Sequence, residues 1–243
     1  MKNYIQVAIA SLGFVIAAAL LGQAIKNRNK SQNTISVTGL GAKKFTSDLI
    51  TWSANFSKSN VDLKSAYDEL AADRKIISEY LKSKGLKDSE MVFSAVDIQK
   101  KFRSYNDANG NYVQGEFSGY NLTQSVFIES KEVAKIENLS RIITEIINQG
   151  VELTSSQPQY CYTKLAEVKQ EMIADATKDA KQRAEKIATN AGSSIGNLKK
   201  ASMGVIQITA PNSAEDYSWG GTYNTSSKEK EASITIKLEY EVD

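Results

Sequence analysis

Hydrophobic positions along this chain follow three rhythms. From Ile5 to Ile25 nearly every residue is apolar or small, with no charge between Lys2 and Lys26. A helix there would be roughly 30 Å long at about 1.5 Å per residue, enough to cross a bilayer core. After a polar linker at 26–33 (KNRNKSQN), segments of period 2 alternate with segments of period 3.6. Ile35–Thr38 reads as a short strand ending at Gly39-Leu40-Gly41. Leu49–Ser57 sets Ile50, Trp52, Ala54 and Phe56 against Thr51, Ser53 and Asn55, so one face is buried and the other polar.

Helical spacing takes over at Val61–Lys84, with a stripe of Leu63, Ala66, Tyr67, Leu70, Ile77 and Leu81. Asn60 is the expected N-cap and Gly85 the expected stop. Met91–Arg103 and Phe117–Ile128 read as a strand pair joined by Ser104–Glu116, where Asn109-Gly110 is a hairpin signal. Ser130 is placed to cap a second helix, Lys131–Gln149, with Val133, Ile136, Leu139, Ile143 and Ile147 inward and Gly150 at its end. Val151–Tyr160 is a strand whose end Pro158 puts at an edge or bulge. Lys164–Asn190 is the longest helix. Its stripe of Leu165, Val168, Met172, Ala176, Ala180 and Ala184, continued by Ile187 and Ala191, is small enough for a neighbouring backbone to come close. Val205–Thr209 and Ser233–Val242 complete the strands. The order β-β-α-β-β-α-β-α-β-β predicts an α+β fold over residues 34–243, a largely antiparallel sheet packed by three helices, behind one hydrophobic helix within residues 1–30.

Three fates fit that first segment: an anchor that stays, a signal peptide cut near Ala17-Ala18-Ala19 or Gly22-Gln23-Ala24, or a buried core helix. Its apolar run exceeds the usual signal-peptide core of about 7–15 residues, and Lys26, Arg28 and Lys30 form a stop-like flank. Those cations oppose Lys2 and the α-amino group, a bias that would place the rest of the chain in the cytoplasm.

The first 30 residues hold four cations and no acid, leaving 26 basic against 28 acidic residues, so nothing suggests a nucleic-acid partner. The chain has no histidine, which removes Ser-His-Asp and Cys-His catalysis and His-ligated metals. Cys161 is its one cysteine, so no intrachain disulfide forms. Cys161 reads as a small buried strand residue, as a partner in intermolecular pairing or as a reactive thiol.

Several short patterns, weak singly, keep a specific order: Ile35-Ser36-Val37-Thr38-Gly39-x-Gly41, Gly85-Leu86, Gly119-Tyr120-Asn121-Leu122, Gly150, and a long helix with Ala174, Ala176, Asp179, Ala180, Arg183, Ala184, Ala188 and Gly192, then Gly196. Over residues 34–243 the chain resembles the SIMPL domain family of bacterial envelope proteins, the 26-kDa periplasmic antigen type. It departs in carrying Ser47-Asp48 where the family often has Pro-Asp. The resemblance implies an α+β fold, export and an envelope role sometimes tied to oxidative stress. It implies no catalytic residues, and its envelope location argues against the cytoplasmic reading of the charge bias.

No residue pattern marks a catalytic, cofactor-binding or metal site. Gly39-Leu40-Gly41-Ala42-Lys43-Lys44 lacks phosphate-loop spacing and reads as a glycine turn. The stretch Ala210–Lys230 is unusually long for a loop and sets Tyr217, Trp219 and Tyr223 among small polar residues, as binding loops do. Tyr105 and Tyr112 form a second candidate patch. Asp68/Glu69 and Glu215/Asp216 read as solvated surface. The expectation is a non-enzymatic envelope protein, facing the periplasm on a membrane anchor at residues 4–25 or released by cleavage. It would act by homo-oligomerisation or partner binding, with a small-molecule-binding or Cys161-dependent redox protein as the alternative.

Overall fold

The computed structural model describes residues 12–24, 33–106, 108–216 and 218–242. The α+β class, the antiparallel strands and the three helices of the folded region stand, but the strands divide between two sheets. The first sheet joins strands from both ends of that region. β1 (Thr34–Thr46) pairs antiparallel along its whole length with β11 (Glu229–Val242), Thr34 facing Glu241 and Thr46 facing Glu229. Beyond β11 lie β8 (Ile195–Met203) and β9 (Gln207–Thr209), and β10 (Thr222–Tyr223) joins β9 in parallel. One face is covered by α4 (Leu165–Asn190). The second sheet is built from the uninterrupted stretch 49–161. It contains β2 (Leu49–Asn60), β3 (Met91–Phe93), β4 (Asp97–Asn106), β5 (Tyr112–Ser130), β6 (Leu153–Ser155) and β7 (Gln159–Cys161). Helices α2 (Leu63–Ser83) and α3 (Val133–Ile142) pack on it.

Each sheet has its own core. Ile50, Trp52, Ala54 and Phe56 of β2 bury against Leu70, Ile77 and Leu81 of α2 and Ile136 of α3, as their alternation requires. The other core sets Ile234, Ile236 and Leu238 of β11 against Val168, Met172, Ala176, Ala180 and Ala184 of α4. These α4 residues recur every four positions. That overshoots the 3.6-residue turn, so the buried line winds around the helix above a twisted sheet.

Gly39 and Gly41 do not form the expected turn. They lie mid-strand in β1, where a Cβ on Gly39 would overlap the Ala176 carbonyl and the Ala180 amide, and one on Gly41 the Met172 carbonyl. The small stripe of α4 and the two glycines are complementary halves of one close approach.

Other departures follow from local chemistry. The N-cap of α2 is Asp62, whose carboxylate accepts the Ser65 N–H at 2.8 Å. Asn60 instead accepts the Asp62 N–H and donates to Glu69. Asp73 takes an inward place on α2 beside Lys58 at 3.0 Å, and Leu63 and Tyr67 are exposed. The helix expected from Lys131 to Gln149 starts after Glu132 and tightens to 3-10 form over Ile143–Gln149. The three-residue turn puts Ile146 inward with Ile143 and leaves Ile147 exposed. Ser130 bonds Glu90 and the Glu132 N–H from just ahead of that helix. Met91–Arg103 is two strands, broken where the Ser94 hydroxyl takes the Ser125 N–H. The long connection 104–116 is mostly strand, closed near Gly110 at positive φ. Pro158, lacking an N–H, sits in the break between β6 and β7.

Residues 12–24 form helix α1, with the described side chains exposed, among them Leu12, Phe14, Val15 and Leu20. The expected span at 4–25 lies partly outside the described residues, among which no helix is long and apolar enough to cross a membrane.

Candidate functional site

Two of the sequence candidates, Cys161 and Tyr223, are far apart in the chain and meet where the two sheets join. β7 brings Cys161 to the edge of the second sheet, opposite Leu49, and its carbonyl accepts the Asp48 N–H at 3.2 Å. Asp48 in turn holds Thr163 through the backbone N–H at 2.7 Å and the hydroxyl at 2.6 Å. Phe45 and Tyr162 pack ring to ring at 4.6 Å across the same junction.

Within the stretch 210–230, residues 222–228 form a strap. Asn224 N–H donates to the Ile208 carbonyl on the first sheet, and Tyr160 N–H of the second donates to the Thr225 carbonyl at 2.7 Å. The Tyr223 hydroxyl accepts the Tyr162 N–H at 3.0 Å and lies against the Cys161 thiol. Burial, and secondarily the thiol, raise the Tyr223 pKa above its ordinary value. Lys228 reaches Glu137 of α3 at 3.4 Å.

Beneath the strap lies Lys230, which the sequence reading passed over as one cation in a polar loop. It is 0 % exposed and has no salt-bridge partner among the described residues. Its ammonium donates to the Ser227 carbonyl at 2.8 Å and to the Asn224 carbonyl, with the Tyr223 ring 5.6 Å away. Burial lowers its pKa, against the opposing pull of Cys161 and Glu215. The signal was its position: Lys230 shares the inward parity of Ala232 and Ile234 on β11. Ser47, also buried at the junction, leaves its hydroxyl without a hydrogen-bond partner.

Chemically this cluster is a brace. The two carbonyls and the tyrosine ring fix the lysine, and the lysine fixes the strap. Cys161 is half-buried within it. Of the other loop aromatics, Trp219 stands 99 % exposed, and Tyr217 lies outside the described residues. Among the described residues no group of three or more His, Cys, Asp or Glu comes together as a metal site would need.

A second exposed feature is the ribbon of β4 and β5. All ten residues of β4 are exposed, and β2 stops at Asn60 opposite Tyr120, so the outer part of the ribbon projects alone. Phe117 stacks edge-on with Phe102 at 6.2 Å and with Tyr120 at 5.2 Å. Tyr105 and Tyr112 lie towards its tip, and Arg103 pairs with Glu116 at 2.9 Å.

Two largely antiparallel sheets, one covered by α4 and the other by α2 and α3, and joined by a strap, define an α+β domain. The chain belongs to the SIMPL family, described as proteins of unknown function (DUF541), whose pattern matches residues 35–242. No curated protein matches the chain. Among solved structures it is similar to a hydantoinase/carbamoylase family amidase from Burkholderia ambifaria at 15 % identity and a TM-score of 0.25. That match covers 52 % of this chain and 29 % of the amidase, and so weak a likeness carries nothing about fold or activity.

Proposed function

We propose that this SIMPL protein is a non-catalytic protein of the cell envelope that works by associating with further copies of itself through the β4–β5 ribbon. The observation that carries the reading is the ladder of Phe102, Phe117 and Tyr120 on a ribbon with ten exposed residues in one strand. A lone two-stranded ribbon is marginal in water, and aromatic clusters are what association surfaces use. The contact would be face to face, because Lys100, Lys101 and Arg103 on β4 oppose edge-to-edge pairing with a copy. Helix α1, with its exposed apolar side chains, supports a tether at the membrane, and the brace at Lys230 supports a rigid body behind the ribbon. A redox role for Cys161 has the weaker footing, since Tyr223 and Lys230 beside it are committed to the strap.

Light scattering on the full chain in mild detergent tests the reading. The wild type should run as a multimer and the Phe102→Ser/Phe117→Ser variant as a smaller species with unchanged circular dichroism. A wild-type monomer at every concentration would sink it.

A further inference from the structure

We propose that the outer face of the second sheet, the face away from α2 and α3, binds a neutral carbohydrate. An open cleft of about 720 Å³ lies there, within the range of about 300–1,000 Å³ typical of small-molecule sites. Strand register builds it in two rows. Val92, Phe127 and Ser53 stand side by side on β3, β5 and β2. One step along, Glu129, Thr51 and Gln159 stand side by side on β5, β2 and β7. At about 4.8 Å between strands each row is about 10 Å wide. Ser89 and Glu90 of the 3-10 turn line one side, and Ser156 and Gln157 of the break line the other.

Val92 and Phe127 of the first row make an apolar floor in an unexpected place. Phe127 is 51 % exposed and Val92 63 %, on a sheet face whose other positions, Asn55, Ser57 and Ser125, are polar. The side chains of the second row and of Gln157 in the break are polar and uncommitted. Among the described residues, the side chains of Thr51, Ser53, Glu129, Gln157 and Gln159 make no hydrogen bond within the chain. Glu90 differs: its carboxylate is occupied by the Ser130 hydroxyl at 2.6 Å and the Lys87 N–H at 3.0 Å.

These groups select among ligand classes. No Lys or Arg lines the cleft, so an anion would meet Glu129 with no compensating charge. An ammonium ligand accepts no hydrogen bond, and would leave the amide N–H groups of Gln157 and Gln159 unmatched. It would also find one exposed aromatic ring, Phe127, since Trp52 is buried in the core, and no cage. A sugar fits both rows. Every hydroxyl both donates and accepts, matching a rim of hydroxyls, amides and one carboxylate. The C–H face of a pyranose is apolar and faintly positive, matching the electron-rich face of Phe127. The cleft shares no residue with the ribbon at 97–119, so this inference stands apart from self-association.

The test is isothermal titration of the full chain, in a detergent without a sugar headgroup, with maltose, cellobiose and N,N′-diacetylchitobiose, and separately with tetramethylammonium and glucuronate. At least one neutral disaccharide should bind saturably and the two ions should not. Phe127→Leu, which keeps an apolar side chain and removes the flat ring, should weaken that binding roughly tenfold or more. Gln159→Leu, at an exposed position, should do the same. Phe102→Ser on the ribbon should leave it unchanged. The proposal is overturned if none of the three disaccharides binds, if an ion binds instead, or if binding survives both Phe127→Leu and Gln159→Leu.

Discussion

The backbone amide of Ala180 on α4 occupies the space that a Cβ on Gly39 of β1 would fill. Helix and strand therefore meet backbone to backbone, and Asp179 adds a link by accepting the Leu40 N–H at 2.9 Å. Gly39→Val should destabilise the fold by about 2–3 kcal/mol or more, since neither backbone can retreat without moving the sheet. Gly220→Ala, where the nearest atom is a serine oxygen at 4.0 Å, should be close to neutral. Urea unfolding midpoints of the two variants check the contrast.

Lys230 should leave a mark on the alkaline stability profile. Burial holds its folded pKa below the ordinary 10.5. Between the lowered value and 10.5 the unfolded chain binds more protons than the folded one, so stability rises with pH through that window. Tyr80, Tyr160 and Tyr223, which burial raises above the ordinary 10.0, lower stability as pH nears 10, the opposite sign, and stay in place in a Lys230 variant, so the difference between the two proteins isolates the lysine. In Lys230→Met this contribution to the slope should vanish. The variant should also lose roughly 1–3 kcal/mol at neutral pH, because the Asn224 and Ser227 carbonyls lose their donor. Urea midpoints for both proteins from neutral pH to 10 test both statements.

Tyr223→Phe removes the acceptor for the Tyr162 N–H and keeps the ring over Lys230. It should cost about 1 kcal/mol and speed hydrogen exchange at Tyr162 and along 224–228, with exchange in α2 unchanged. Equal speeding in α2 would mean that the strap does not act locally.

Asp62 supplies an acid-side signature. The Ser65 N–H, and then its hydroxyl, hold the carboxylate below its ordinary 3.8. Its contribution is fully present above 3.8 and is lost as pH falls through the lowered folded value. Asp62→Ala should lower the melting temperature by a few degrees at neutral pH. The gap from wild type should close in strong acid.

Alternation in β2 and the four-residue spacing in α4 made the cores legible, because a residue's face depends on local period alone. The two-sheet division was not legible, since pairing partners such as Thr34 and Glu241 lie at opposite ends of the folded region. Gly39 and Gly41 were misread as a turn because glycine's missing Cβ serves a sharp bend and a close approach equally. Cys161 and Tyr223 were each picked out, but not their meeting, and Lys230 was hidden by the prior that lysines face water. Phe127 drew no notice because an outward aromatic on a strand looks like any other residue in an alternating pattern.

The pairing of β1 with β11 has a kinetic side. Thr46 and Glu229 are 183 residues apart, so at about 5–20 residues per second β1 waits roughly 10–40 s during synthesis for its partner, while the whole second sheet is made in between. A waiting strand is a sticky one, and glycine in a strand interior weakens its tendency to pair. Gly39 and Gly41 thus act twice. In the finished molecule they admit α4, and before that the same missing side chains lower the pairing tendency of a strand whose partner has yet to be made.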